Sequence, residues 1–459
     1  MGLNRGMSNA STIKYSSGAG VDWAALIAGL GLGLTVAMQV STMTRTDISS
    51  VYAAITSFSR LCALVGTYFA ILGIFLIARI PFIERGVGHD RLVTWHRKLA
   101  PYSLFLIGFH VIFVLFGFAG QDQIPLYKEL WNMLTKFYWM WAGLGGFILM
   151  ILAGVTSYKK ARAKMSYETW WIIHIYTYAA IALSFMHQVL NGSMFVGHTL
   201  NRLYWTALYV LMGASVLYWR IGLPLVRSLR HNITVDRVVI EGPGVVSVIM
   251  RGRKLHKLAA QGGQFFSWRF LTKGHLLVAH PYSLSAAPTE HHVRITVKDL
   301  GDHSRSLALL RPGTRVFVEG PYGAFTAGRS SSPHVVLVGG GVGITPIRAI
   351  IEEFKNGVQM DVIFRASKEE DLVLREELDY LAANSDGTIR VHYLVGPRKN
   401  HPMDARALTK LVPSFADADI YICGPTPLVE SVRKAAQDVG VPKDKFHDEA
   451  FGYHTEIKK

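Results

Sequence analysis

Four histidines sit in stretches of sequence that otherwise carry almost no charge: His96 and His110, 14 residues apart, and His174 and His187, 13 apart. Ionisable side chains in long apolar runs are costly, so each is a functional hypothesis until explained. At a helical rise of 1.5 Å per residue the two intervals measure about 21 Å and about 19.5 Å. Two helices running in the same direction would bring His96 level with His174 and His110 level with His187. Paired neutral imidazoles at one depth are what a bis-histidyl haem iron requires, and two such levels make two b-type haems stacked across a membrane. Four unrelated histidines, each bonded to a neighbouring helix, are the plainer reading of the spacing. One detail resists the haem reading. At ~3.6 residues per turn a 14-residue step returns to within about 40° of the same face, but a 13-residue step misses by about 140°. The helix of His174 and His187 must bend, bulge or meet its partners from different sides. His89 and His198 fall outside this register and are expected in loops.

A second set of residues could hold phosphates. An apolar strand at 335–338 runs into Gly339, Gly340, Gly341 and Gly343, after which Thr345 and Pro346 open a helix. Glycines let a backbone approach a pyrophosphate closely, and a helix N-terminus supplies free N–H groups at the positive end of a dipole. Alone, the pattern is also that of a tight turn. Arg365 and Lys368 after the next strand, with Arg398 in a later loop, could meet the 2′-phosphate of NADPH or form an ordinary solvated basic face. The two cysteines, Cys62 and Cys423, have no CxxC spacing, which argues against an Fe–S cluster, a thiolate zinc site or a disulfide framework. Redox chemistry must then use a cofactor held by other residues.

These two sets need different scaffolds. The 459-residue chain is 50% hydrophobic, with its long apolar runs crowded into the first half. Stretches able to cross about 30 Å of hydrocarbon begin near Val21, Ser59, Trp95, Phe137, Thr169 and Leu203, which predicts six membrane helices. The first has no small-residue cleavage pattern and reads as a span after a polar segment, 1–20. Arg79, Arg85, Arg91, Arg97 and Lys98, then Lys159, Lys160, Arg162 and Lys164, then Arg220, Arg227 and Arg230 fall on the N-terminal side. Arg45, Arg60, Lys128, Lys136 and Arg202 face the other. By the positive-inside rule both termini are expected in the cytoplasm, with the chain multi-pass in the plasma membrane. The net charge of +16 is explained by those loops. No basic block interleaves with aromatics as a nucleic-acid surface would require, and nothing calls for an obligatory protein partner.

The second half alternates short apolar strings with turns, as in VDRVVI, VVSVIM, VRITVKDL and TRVFVEG, which predicts a small antiparallel barrel. After a linker at 329–333 the pattern becomes strand, turn, helix, strand, that of a parallel α/β domain. The expected organisation is multidomain: a six-helix α transmembrane bundle at 21–230, an antiparallel β-barrel at 231–328 and an α/β nucleotide-binding domain at 333–459.

Around the glycine turn lie, in order, HPYSLS at 280–285, VKDLGDHS at 297–304, GPYGAF at 320–325, CGP at 423–425 and FHDEAF at 446–451. With the histidine spacing, these motifs resemble the ferric reductase and NADPH oxidase superfamily, six helices fused to a ferredoxin-reductase-type flavin and nicotinamide module. The resemblance implies that the antiparallel β-barrel is an FAD domain, in which His280, Pro281, Tyr282 and Ser283 border the isoalloxazine ring of FAD, with Lys298, Gly301 and Ser304 along its phosphates. It implies that Cys423, Gly424, Pro425 and Glu449 stand by the reacting nicotinamide, and that Phe451 lies over the flavin until nicotinamide displaces it. A nicotinamide gives up two electrons as hydride whereas each haem iron accepts one, so a carrier stable in one- and two-electron forms must stand between them, and flavin is such a carrier. The expected path is NADPH, or NADH, to FAD, to the His96/His174 haem, to the His110/His187 haem, and out to a small extracytoplasmic acceptor. Superoxide producers of the superfamily pair an outer-face arginine with a further histidine close after the outer ligand. Here Arg60 could fill the first role, but Val114 stands one turn past His110, amid Phe113, Leu115 and Phe116. That favours a ferric chelate over dioxygen, since an unpaired buried anion is costly. The alternatives are a superoxide-producing NADPH oxidase, or a membrane-anchored cytoplasmic diaphorase without haem.

Overall fold

Lipid offers no hydrogen bonds, so a chain crossing it must satisfy its backbone within helices. The computed structural model describes residues 19–272 and 279–450, in two compact units that divide between Gly222 and Leu223. The first unit consists of α1 (Ala19–Thr42), α2 (Val51–Ile77), α3 (Pro81–Val87), α4 (His89–Asp122), α5 (Leu126–Lys136), α6 (Met140–Ser157), α7 (Lys159–Arg162), α8 (Tyr167–Asn191) and α9 (Thr199–Ser215), followed by a π-helical segment, Val216–Gly222. Among the described residues six stretches are long and apolar enough to cross a membrane: Gly20–Thr42, Val51–Ile77, Arg91–Asp122, Met140–Ser157, Thr169–Asn191 and Thr199–His231. The chain is thus a multi-pass membrane protein.

Caps and small residues set these helices. The hydroxyls of Ser50 and Ser166 accept from the backbone N–H of Ala53 and Thr169, starting α2 and α8. Gly66 and Gly146 let helices touch, since an added Cβ would lie 2.9 Å from Ile107 in α4 and 2.6 Å from the Ala180 carbonyl in α8. Ser103 donates to the Gly66 carbonyl at 2.7 Å, pinning α4 to α2. Two features differ from expectation. His89 opens α4 instead of lying in a loop, although His198 does precede α9 as its cap residue. The amphipathic helix α5, with Tyr127 and Trp131 exposed and Met133 and Leu134 buried, precedes the fourth span.

The second unit opens with α10 (Leu223–His231). Its Ser228 hydroxyl accepts from Val318 N at 3.0 Å and its Arg227 donates to the Gly320 carbonyl. These bonds tie residues 223–231 to the barrel, although their apolar sequence continues the last span. The barrel comprises β1 (Thr234–Gly242), β2 (Val245–Arg251), β3 (Phe265–Phe270), β4 (His280–Ser283), β5 (His292–Lys298), the short α11 (Asp302–Ser306) and β6 (Val316–Tyr322). Two antiparallel sheets, β1-β2-β5 and β4-β3-β6, join through bridges between Thr234 and Arg315 and between Leu284 and Ile295. Alternation along β3 sends Phe266, Trp268 and Phe270 into the core.

Then follow β7 (His334–Gly340), α12 (Ile344–Ile351), β8 (Gln359–Ala366), α13 (Arg375–Ala383), β9 (Ile389–Val395), α14 (Ala405–Leu411), β10 (Asp419–Gly424), α15 (Thr426–Asp438) and β11 (Phe446–Ala450). The strands form one parallel sheet in the order β11-β10-β7-β8-β9, buried on both faces. The preceding linker is held by Asp419, which accepts from the Ser330 hydroxyl at 2.6 Å and from the N–H groups of Ser331 and Ser332.

Candidate functional site

Helices α4 and α8 bring the four histidines together in the expected pairs. The rings of His96 and His174 stand 6.1 Å apart, centre to centre, with planes at 79°. A metal bonded to both imidazoles at about 2 Å per bond requires roughly that separation of ring centres. His110 and His187 line one cavity of about 220 Å³. A carbonyl oxygen can only accept, so the contacts of His96 Nδ1 with Gly73 O at 3.0 Å and of His110 Nδ1 with Ser59 O at 3.1 Å put the proton on Nδ1. The lone pair then belongs to Nε2, the arrangement of an oriented metal ligand. His174 Nδ1 lies 3.3 Å from Ser157 Oγ, which also accepts from Trp170 Nε1, and the Trp170 ring stacks on the imidazole at 5.0 Å. At Gly143 a Cβ would lie 2.7 Å from His187 Nδ1, so the glycine makes room for that ring. These imidazoles would suit a haem iron at each of two levels, His96 with His174 and His110 with His187.

The 13-residue step in α8 is absorbed without a bulge, because α8 is an uninterrupted α-helix. Both of its histidines touch α6, at Ser157 and at Gly143. The orienting groups Gly73, Ser59, Ser157, Trp170 and Gly143 were not singled out from the sequence. Glycine and serine are common wherever membrane helices pack, and a backbone carbonyl leaves no mark on residue type. The cavity wall is largely apolar, with Val114, Leu115, Phe118 and Phe147 in it. Arg60 also lines it, 3.2 Å from Ser193 Oγ and 3.9 Å from Asp47.

In the second unit the strand order reverses between β7 and β10, the kind of point where open α/β sheets bind ligands. Gly339 is in register with Cys423, and Cys423 with Glu449. The glycines divide by role. A Cβ on Gly339 would lie 2.7 Å from Ile344, on Gly340 2.4 Å from Leu428 and on Gly343 2.2 Å from the Cys423 carbonyl, so these three let the two turns close on each other. Gly341, at φ +56°, has no atom of the described residues within 4 Å of that position and is open to a ligand. Thr345 and Pro346 are buried at the start of α12. Cys423 is fully buried, and burial, reinforced by Glu449 and Asp448, pushes its thiol well above the usual range, so it stays protonated. Gly424 packs against Gly340, and Pro425 precedes α15. The Glu449 carboxylate lies against Gly323 of the GPYG turn. Phe451 lies outside the described residues.

On the barrel, β3–β4 pairing places Tyr282 opposite Phe266 and Pro281 opposite Ser267, and Trp268 Nε1 donates to the Tyr282 carbonyl at 2.9 Å. Pro281 is exposed and Ser283 buried. Burial raises the Tyr282 phenol. His303, not singled out from the sequence, joins this group: its ring lies 3.3 Å from that of His280 and its Nδ1 3.3 Å from the Tyr282 hydroxyl. Ser304 Oγ accepts from Leu300 N and donates to Gly301 O, locking the turn before α11. Among the described residues a Cβ on Gly301 would meet nothing within 4 Å. Open turns at Gly301 and Gly341 leave room for a dinucleotide's phosphates. Lys298 pairs with Asp371 at 3.4 Å.

Arg365 donates to the carbonyls of Ala366, Leu394 and Gly396 at the ends of β8 and β9. Burial, with the charge of nearby Arg398, lowers its pKa. Arg398 in turn donates to Pro427 O and Ser431 Oγ. Lys368 is exposed and pairs with Glu370 at 3.0 Å.

Comparison with known proteins agrees with this division. A family described as ferric reductase like transmembrane component matches residues 62–185, and an oxidoreductase NAD-binding domain matches 337–434. NADH-cytochrome b5 reductase 1 of Aspergillus terreus is 32% identical over 248 residues, which cover 49% of this chain and 80% of that protein. The protein of the same name from Pyricularia oryzae is 28% identical over 242 residues, 49% of this chain and 77% of its own. The FAD/NAD-binding domain of a Vibrio cholerae nitric oxide dioxygenase is similar at 24% identity and TM-score 0.41, covering 49% of this chain and all of that domain. The chain therefore belongs to the ferric reductase/NADPH oxidase-type fusions, oxidoreductases in which a ferric reductase-like membrane domain joined to an FAD/NAD reductase module transfers electrons from NAD(P)H across a membrane.

Proposed function

We propose that the chain takes hydride from cytoplasmic NADPH, or NADH, and delivers single electrons to a ferric chelate outside, with FAD and two b-type haems as resident carriers. The observation that carries this reading is the pairing of His96 with His174 and of His110 with His187 on the same two helices. When bound, the flavin would split a two-electron donor into one-electron steps and the haems would carry those through the hydrocarbon.

The residues divide the remaining work. His96 and His174 would hold an inner haem iron and His110 and His187 an outer one, with the His96 and His110 rings each aimed by a backbone carbonyl. His280, Pro281, Tyr282 and Ser283 would border the flavin ring, and Lys298, Gly301 and Ser304 would lie along its phosphates. Gly341 gives the nicotinamide dinucleotide its close backbone approach. Cys423 would offer the nicotinamide an uncharged wall, because its thiol keeps its proton, with Glu449 in register beside it. The choice of NADPH rests on the basic groups Arg365, Lys368 and Arg398 that follow β8 and β9, Arg365 and Arg398 being held by carbonyls of the chain and Lys368 by Glu370. A clear NADH preference in turnover at equal concentrations removes that choice. The basic loops keep both termini and the reductase module in the cytoplasm.

The ferric chelate is favoured over dioxygen because the stretch one turn past His110, at Val114 and Leu115, is apolar and places no second imidazole there for a developing superoxide. A pyridine haemochrome assay of the purified protein should give two b-type haems per chain; their absence would leave the diaphorase. Aerobic NADPH oxidation should accelerate when ferric chelate is added at the outer face. Equal rates with and without chelate, with stoichiometric superoxide, would place the protein among the oxidases.

A further inference from the structure

We propose that Gln188 presents its side-chain NH2 to the outer cavity as a fixed, neutral hydrogen-bond donor to a carboxylate bound there, an assignment that rests on the haem reading above. Gln188 follows His187 directly on α8 and lines the same cavity as His110 and His187. Its Oε1 accepts from Trp205 Nε1 at 2.8 Å and from the Tyr209 hydroxyl at 3.2 Å. An indole N–H can only donate, so the amide cannot flip: the oxygen faces α9 and the nitrogen faces away from it.

Both donors are packed in place. Trp205 is fully buried with its ring 5.6 Å from that of Phe195, and Tyr209 is packed 4.6 Å from Phe185. Among the described residues no acceptor meets Gln188 Nε2, and that atom is not sealed within the protein either. Ser184 and Asn191 in the same wall spend their donors on carbonyls, of Ile181 and of Tyr138 and His187. Two N–H groups held toward an apolar cavity invite an acceptor, and a carboxylate forms the strongest such bond while Arg60 in the same wall offsets its charge. That carboxylate belongs either to the tetrapyrrole held by His110 and His187 or to an incoming chelate.

Full-length protein, its Gln188→Glu variant and its Gln188→Met variant, which keeps the shape without donors or charge, are compared by haem content, by redox titration of each haem and by KM for ferric citrate. If the tetrapyrrole supplies the carboxylate, Gln188→Glu shifts the midpoint potential of one haem downward or loses that haem, and Gln188→Met does the same more weakly. If the chelate supplies it, KM for ferric citrate rises several-fold in Gln188→Glu, more than in Gln188→Met, at unchanged potentials. Wild-type potentials, haem content and KM in both variants overturn the proposal while leaving the haem reading intact. Absence of haem from the wild type instead sinks the reading itself and this assignment with it.

Discussion

His447 on β11 is packed where a charged imidazole is poorly tolerated. It is 8% exposed, with its ring 4.4 Å from that of Tyr421. Burial, then the Arg329 charge, pushes its pKa down to about 4 from 6.5, against the opposing pull of Asp419, Asp444 and Asp448. The unfolded chain takes up this proton near pH 6.5 and the folded chain only near pH 4, so between those values the unfolded state binds more protons. Stability of the second unit should therefore fall as pH is lowered through that window, by up to about 1.4 kcal/mol per pH unit. Thermal melts between pH 7 and pH 4 should show this slope, and His447→Phe should flatten it; an unchanged slope would mean other groups dominate. The membrane histidines were legible because an ionisable residue in an apolar run is conspicuous. His447 and His303 were not, since their surroundings come from strands distant in sequence.

Helices α4, α6 and α8 act together, and glycines decide how closely. A Cβ at Gly143 would press within 2.7 Å of His187, whereas one at Gly73 would sit 3.5 Å from His96, an ordinary contact. Gly143→Ala should lower the haem:protein ratio toward one, while Gly73→Ala should keep two. Equal ratios in the two variants would disprove the steric account. The spans were legible from length and hydropathy, and the antiparallel barrel from its alternation. Helix α5 was not, because Lys128, Glu129 and Lys136 break its apolar pattern into that of a loop. Nor could the end of the last apolar stretch be read, since the bonds of Arg227 and Ser228 to the barrel connect residues about 90 apart.

Across the whole reductase unit, an ionic network ties barrel to nucleotide domain. Arg294 of β5 binds both carboxylate oxygens of Glu377 in α13, at 2.5 and 2.8 Å, and Arg348 of α12 meets the same carboxylate at 2.6 Å. Fork geometry of this kind fixes orientation as well as distance. Arg294→Ala should slow flavin reduction by NADPH in stopped-flow measurements by roughly tenfold, about 1.4 kcal/mol in barrier, and make the rate more sensitive to salt. A wild-type rate would show that the two domains are held by other contacts.

The central claim is that electrons entering at this unit leave on the far side of the membrane. Protein reconstituted into vesicles with the reductase module outside and ferric chelate enclosed tests it, with NADPH supplied to the exterior under anaerobic conditions. The enclosed chelate should be reduced by wild type, whereas His110→Ala should still accept hydride into its flavin yet leave the chelate oxidised. Reduction of the enclosed chelate at the wild-type rate by His110→Ala, or no reduction by haem-loaded wild type, would contradict the path described.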